Sequence, residues 1–169
     1  MKMAELFLGE LERESGATRR VLERVPEGRN DWKPHEKSMA LGYLAGLVAS
    51  MPGWIPMMVN KDAMDIRSPE GANYKPQAWT SSKDLVRLLD QSLAEARAAL
   101  KDATDEHMMK PWKFVVGGHV AAEQPRYIMI RDSVLNHMAH HRGQLTVYLR
   151  LCGAPVPAIY GPSADEGGF

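Results

Sequence analysis

Two histidines one helical turn apart, His137 and His141, are the residues of this sequence best placed to do chemistry. The segment around them has helical periodicity, so that residues at steps of three or four share one face. The other members of that face are apolar: Ile130, Val134, Leu145, Tyr148 and Cys152. We therefore expect both imidazoles to point inward. Imidazoles at this spacing can reach one metal ion, and the alternative is a pair of core histidines bonded to carbonyls or hydroxyls.

The remaining histidines and the single cysteine are weaker candidates. His140 lies beside the same face, where it could support the pair or be partly exposed. His35, His107 and His119 fall in predicted loops, where solvated histidines are usual. Cys152 ends the apolar face without a base or an oxyanion partner, so we interpret it as a buried structural thiol.

Charge and cysteine content restrict the function classes. The 21 basic residues balance 21 acidic ones, so no net field favours nucleic acid or an anionic membrane surface. A single cysteine excludes an internal disulfide, and the charged N-terminal segment lacks the apolar core of a signal peptide. We therefore expect a cytoplasmic protein that does not bind nucleic acid.

One uncharged stretch, residues 38–60, has about the length of a membrane span. Pro52, Gly53 and Pro56 interrupt its second half. A helix buried among other helices can also be apolar on nearly every side. The stretch is therefore predicted to be a core helix rather than a membrane segment.

The elements that must position the histidines form one predicted domain over residues 1–169. Helical patterns cover residues 4–24, 39–51, 81–100 and 126–152. Ser38 is the predicted cap of the second helix, and Ser81 with Asp84 resembles a capping box for the third. Residues 109–124 could form a small hairpin. The connection over residues 62–79 is of the kind that covers a pocket, and the tail after Gly153 should fold back over the helices.

The run from Asn136 to Arg150, with His141-Arg142-Gly143-Gln144 at its centre, resembles the last-helix signature of the DinB-like family. Residues 38–45 resemble that family's second helix, and residues 155–166 resemble the tail of one branch. The resemblance implies an all-α fold, an up-down-down-up four-helix bundle that is often a homodimer. The hairpin would then be a small addition between the last two helices.

The resemblance also implies a metal site. Characterised relatives include metal-dependent thiol S-transferases and related hydrolases or isomerases, in which three histidines hold a divalent metal such as zinc or nickel. The two histidines of the last helix match His137 and His141. The third, from the second helix, matches Leu47, which cannot ligate a metal. The implied zinc or nickel cofactor therefore has only two of its three ligands at the matching positions.

Two functions stay open at this stage. The first is a metal-dependent enzyme acting on a small thiol or as a hydrolase, which needs a third ligand. Residues of suitable type for that ligand are Tyr43, Glu10, Glu14 and His35. The second is a metal-free, non-catalytic bundle that binds a small apolar ligand or serves a stress-related role. Whether the protein is an enzyme is left undecided by its sequence.

Overall fold

Long helices dominate the computed structural model, which describes residues 2–72 and 78–167. In chain order the elements are α1 (Met3–Leu22), α2 (Leu41–Ser50), a 3-10 turn (Met51–Trp54), α3 (Ile55–Asn60), β1 (Ala63–Asp65), α4 (Pro69–Ala72), α5 (Ser82–Leu100), α6 (Asp105–Met109), β2 (Pro111–Val116), β3 (His119–Pro125), α7 (Arg126–Ile130), a π-helical segment (Arg131–Asn136) and α8 (His137–Leu151). The predicted last helix is thus two α-helices joined by a π-helical segment.

A shared hydrophobic core holds the long helices together. Leu11 of α1, Val48 of α2, Leu89 of α5 and Leu145 of α8 are among its fully buried residues. Each helix presents one apolar side to this core, and burial of that side supplies most of the helical stability. The core fixes the long helices as one scaffold, and the candidate site is built on it.

The expected all-α class, an up-down-down-up four-helix bundle, is wrong because the fold includes a mixed three-stranded sheet of order β1-β2-β3. β2 and β3 form the small antiparallel hairpin that the sequence suggested, with a register shift at Phe114/Val115. β1 pairs in parallel with β2, aligning Ala63 with Lys113. A three-residue strand is too short to show a period of two, which explains why its sequence gave no strand signal.

The hairpin turn is tied to β1 by one carboxylate. Gly117 and Gly118 adopt φ of +60° and +83°, as a tight two-residue hairpin turn requires. Their amides donate to Oδ1 and Oδ2 of Asp65 at 2.9 and 2.8 Å. The backbone N–H groups of Arg67, Gly117 and Gly118 lower the pKa of Asp65. The Asp65 carboxylate therefore links β1 to the turn of the hairpin.

The base of the sheet is fixed to the last helix by Arg126, which is almost fully buried. Its Nη1 donates to the carbonyl of Pro111 at 2.8 Å, and its Nη2 donates to the carbonyl of Lys61 at 3.1 Å and contacts Asp62. The guanidinium thus joins the first turn of α7 to β2 and to the two residues that precede β1.

The two predicted helix caps have different outcomes. At α5 the capping box is confirmed: Asp84 N–H donates to Ser81 Oγ, and the Asp84 carboxylate accepts the Ser81 N–H at 2.9 Å. The Ser38 cap is wrong, because α2 begins at Leu41. The Leu41 and Gly42 amides donate instead to carbonyls of the preceding loop, both at 2.9 Å.

The stretch Leu41–Asn60 is long and apolar enough to span a membrane by length and composition alone. Within the protein, 61% of an apolar 18-residue part of this stretch is buried. Its second half turns through the 3-10 segment at Pro52 before α3 begins. The apolar character of this stretch is thus used in packing against the other helices.

The tail folds back over the helices, as predicted. Gly153 adopts φ of +75° and ends α8. The Asp165 carboxylate accepts hydrogen bonds from both Nη atoms of Arg150. The Arg20 guanidinium donates to the Ala158 carbonyl at 3.1 Å. These bonds place the tail against α1 and α8.

Candidate functional site

A cavity of about 760 Å³ lies between α2, α3, the sheet and the last helix. We call it the histidine cavity, because His137 and His141 both line it. Its other walls are mostly methionine and aromatic: Met39, Met57, Met58, Met64, Met129, Trp54, Trp112 and Phe114. The two histidines are thus the polar pair in an otherwise largely apolar chamber.

The two imidazoles are bonded to each other. Nε2 of His141 lies 2.8 Å from Nε2 of His137, and the His141 ring is 5% exposed while that of His137 is half-buried. On its other side, Nδ1 of His141 lies 2.7 Å from Oε1 of Gln144. The amide nitrogen of Gln144 lies 3.1 Å from Nε2 of the exposed His140. A chain of polar groups therefore runs from the surface to the cavity.

This chain determines which nitrogens carry protons. The carbonyl oxygen of Gln144 accepts hydrogen bonds and cannot donate, so Nδ1 of neutral His141 carries the hydrogen. Nε2 of His141 is then an acceptor, and Nε2 of His137 donates to it. Nδ1 of His137 is left as an acceptor with no hydrogen-bond partner in residues 2–72 and 78–167.

The environment of His141 disfavours a second proton. Burial of the ring lowers its pKa, and the imidazoles of His137 and His140 lower it further, against an upward effect of the Gln144 hydrogen bond. Because a desolvated imidazole resists charging, His141 stays neutral near pH 7. His141 therefore adds no permanent charge to the cavity.

The donors in the cavity do not fit a three-ligand metal site. Leu47 lines the cavity beside the histidines and is 8% exposed, so the position that the family resemblance assigns to a ligand holds an apolar side chain. Across the described ranges, no group of three His, Cys, Asp or Glu residues could hold a metal ion. Two imidazoles alone fall short of the three protein ligands usual for catalytic zinc.

The other candidate third ligands lie elsewhere or lack a supporting contact. Tyr43 lines the cavity but is half exposed. Glu10 and Glu14 line a separate groove. His35 is in the loop before α2, where its Nδ1 accepts the Lys37 amide at 3.2 Å. The structure therefore brings none of these four residues into a metal-binding group with His137 and His141.

Several residues of the cavity and of its surroundings were not predicted. Ser133 and Met129 line it, whereas Ile130 and Val134 are buried elsewhere, because the π-helical segment shifts the faces of the last helix. Gln144 was also missed, although its position three residues after His141 is a spacing at which helical side chains meet. His107, predicted to be solvated, bonds the Val59 carbonyl at 2.7 Å.

The opposite side of the last helix borders a second concavity of about 540 Å³, which we call the tail groove. Arg142, 1% exposed, lies at its edge, where it forms an ion pair with Oε2 of Glu14 at 2.5 Å and donates to Oγ1 of Thr18 at 3.0 Å. It also contacts the hydroxyl of Tyr160, which donates to Glu14 at 2.7 Å. The tail is thereby anchored to α1 through a buried ion pair.

Comparisons with known proteins agree on one family. A model of the DinB family matches residues 1–167. A DinB-like protein from Bacillus cereus ATCC 10987 has a TM-score of 0.71 at 23% identity, over 92% of this chain and 97% of that one. A DinB-like protein from Bacillus subtilis has a TM-score of 0.65 at 19% identity, over 89% of this chain and 94% of that one. These two likenesses show a shared fold.

Sequence similarity to a curated protein is confined to a short segment. Over 33 residues the chain is 52% identical to the uncharacterized protein YrdA of Bacillus subtilis (strain 168). That segment covers 20% of this chain and 20% of YrdA. The match spans about a fifth of that relative and carries no activity with it.

Proposed function

Because the chain belongs to the DinB family, we propose that it uses this fold to bind a small, largely apolar molecule in the histidine cavity without a metal ion. The observation that carries the proposal is the pairing of His137 with His141 in a cavity where Leu47 occupies the place of a third ligand. The two imidazoles share one hydrogen bond through their Nε2 atoms, and the remaining walls of the cavity suit an apolar ligand.

The size and lining of the cavity support a small-molecule ligand. Its volume, about 760 Å³, falls within the range typical of ligand sites, which are mostly apolar with a few placed polar groups. Methionine side chains are flexible and polarizable, so a wall built from five of them can adapt to a guest. Such a site favours shape and apolar contact over charge.

Fluorescence of Trp54 and Trp112, which line the cavity, provides a direct assay. We expect naphthalene to quench it saturably. Ala122→Phe should weaken naphthalene binding roughly tenfold, because the new ring occupies part of the cavity. Ala121→Phe is the matched control, since Ala121 is exposed and does not line the cavity. Equal effects of both substitutions, or no saturable quenching, would contradict the proposal.

A second function, a divalent-metal-dependent thiol transferase or hydrolase-like enzyme, is favoured by one observation: the two Nε2 atoms of His137 and His141 converge in the cavity. It requires a third donor from outside the described residues or from a bound thiol. Calorimetry with zinc and nickel on untagged protein separates the two functions. One tight equivalent, lost in the double variant His137→Ala and His141→Ala, would overturn the metal-free proposal.

We also propose that the protein acts as a cytoplasmic homodimer. The exposed side of α8 supports this, because Val147 and Leu151 are 56% and 58% exposed one turn apart. Apolar side chains placed together at a surface favour association. Light scattering at micromolar concentration should give twice the chain mass, and a monomer would contradict the dimer without affecting the cavity proposal.

A further inference from the structure

We infer that the molecule bound in the histidine cavity is a neutral aromatic compound with one hydrogen-bond donor, such as a phenol, which donates to Nδ1 of His137. This inference rests on the proposed function and specifies its ligand class. It follows from three features of the site: the direction of the hydrogen-bond chain, the aromatic walls, and the lack of charge in the lining.

The direction of the hydrogen bonds from His137 through His141 to Gln144 makes Nδ1 of His137 an acceptor. The carbonyl of Gln144 takes the Nδ1 hydrogen of His141, so the bond between the two Nε2 atoms uses the hydrogen of His137. Nδ1 of His137 therefore has a lone pair, and no other residue in the described ranges bonds it. A ligand group that donates can satisfy this nitrogen, whereas an acceptor cannot.

The walls favour a flat aromatic body. The ring of Trp54 lies 6.0 Å from that of His137, centroid to centroid, and Trp112 and Phe114 line the cavity as well. Aromatic pairs and sulfur contacts from methionine each add to the free energy of apolar burial. A planar ring is thus held next to the acceptor nitrogen.

The ligand is expected to be neutral. Residues that line the cavity include no Lys, Arg, Asp or Glu among those the structure describes. An ion would lose its hydration there without gaining a partner of opposite charge, which is strongly unfavourable. A carboxylate or an amine is therefore a poorer fit than a hydroxyl.

Three probes of similar shape test the inference at pH 8, where free imidazoles are neutral. They are 2-naphthol, which donates; naphthalene, which does neither; and isoquinoline, which accepts. We expect 2-naphthol to bind about tenfold tighter than naphthalene, the effect of one hydrogen bond to an acceptor of the half-buried His137. Isoquinoline should bind no tighter than naphthalene. If isoquinoline binds tighter than 2-naphthol, the cavity presents a donor to the ligand, either through a reversed hydrogen-bond chain or through Nε1–H of Trp112, which has no partner among the described residues, and the inference is overturned.

Substitutions show which residues cause the preference for 2-naphthol over naphthalene. In His137→Phe alone, Nε2 of His141 loses its donor and can itself accept from the ligand. In the double variant His137→Phe and His141→Phe the ratio of naphthalene to 2-naphthol dissociation constants should fall to about one, since both imidazole acceptors are gone. Gln144→Glu should keep the ratio, because a carboxylate also accepts the Nδ1 hydrogen of His141, whereas Gln144→Met should reduce it. A ratio unchanged in the double variant refutes the assignment of the acceptor to the histidine pair. Failure of all three probes to bind would instead refute the proposed function.

Discussion

His141 and Arg142 are adjacent and both nearly fully buried, yet the last helix directs them into two different environments. His141 lies against the histidine cavity, paired with His137. Arg142 lies on the other side, against Glu14 and the hydroxyl of Tyr160. The first environment is apolar and open to a guest, whereas the second is ionic and closed by the tail.

The two environments differ in how completely their polar groups are hydrogen-bonded within the protein. The guanidinium of Arg142 meets a carboxylate, a backbone carbonyl and two hydroxyls, so its polar capacity is used within the protein. The hydrogen-bond chain through His141 ends instead on Nδ1 of His137, which has no partner among residues 2–72 and 78–167. A buried polar group whose partners are complete contributes to the fold, while an incomplete one is available for binding. Substitutions on the two sides should therefore affect different properties.

The largest effect on stability is expected on the ionic side. Arg142→Met should lower the free energy of unfolding by about 3–5 kcal/mol, because the Glu14 carboxylate loses its buried partner. Urea denaturation measures this change. Adding Glu14→Gln should recover part of the loss, since no unpaired charge then remains. A loss below about 1 kcal/mol would mean that water replaces the guanidinium.

A smaller effect is expected at Leu47, which lines the same cavity as the histidine pair. Leu47→His should lower the free energy of unfolding by about 1–3 kcal/mol without metal, because a polar ring replaces a buried apolar side chain. The same variant should bind zinc at least tenfold tighter than the natural protein, since three imidazoles then face one cavity. Calorimetry and urea denaturation together test both parts. Zinc affinity equal to that of the natural protein would show that position 47 lies out of reach.

On the cavity side itself, His141→Leu should change the free energy of unfolding by no more than about 1 kcal/mol. It removes hydrogen bonds of modest net value and places an apolar group in an apolar cavity. The contrast with Arg142→Met is the direct test of the comparison. If His141→Leu destabilises the protein as strongly as Arg142→Met, the histidine pair is a structural element after all.

The smallest effect is expected in the tail. Hydrogen bonds from Arg150 and from the Val156 amide lower the pKa of Asp165, and the Ala158 amide with Arg24 lowers that of Glu166. Carboxylates with lowered pKa stabilise the folded tail above their ordinary values, 3.8 and 4.5, and that contribution is lost as the pH falls through the lowered values.

Hydrogen exchange of the Val156 and Ala158 amides, corrected for intrinsic rates, measures this loss. Protection should decrease below the ordinary carboxyl pKa range while the core amide of Leu89 stays protected. Asp165→Asn should remove the pH dependence at Val156 and leave that at Ala158. Protection that is independent of pH would show that the tail is held by Tyr160 and apolar contacts.

Features fixed by near neighbours in the chain could be predicted from the sequence. The capping box at Ser81 involves residues three apart, and the inward position of His137 and His141 follows from helical spacing within α8. Gly153 marked the end of that helix for a similarly local reason. Local geometry and residue type were sufficient for each of these.

Features that depend on distant segments could not be predicted. β1 forms only against β2, some 50 residues later, so nothing in its three residues indicates a strand. The cap of α2 comes from carbonyls of a loop about ten residues earlier rather than from Ser38. The burial of Arg142 depends on the packing of α1 on α8, which brings Glu14 to it. Tertiary contacts decided all three.

The π-helical segment Arg131–Asn136 keeps the cavity side of the last helix in phase. Met129, Ser133, His137 and His141 follow one another at steps of four and all line the cavity. In an uninterrupted α-helix three such steps would rotate the last residue by about 120° from the first, whereas one residue absorbed in a wider turn removes about 100° of that drift. Deleting one residue within the segment should therefore leave His141 and Arg142 on their present sides. A deletion inside α8 before His141 should bring the guanidinium of Arg142 to the place of His141 in the cavity, and move His141 to the exposed place of His140.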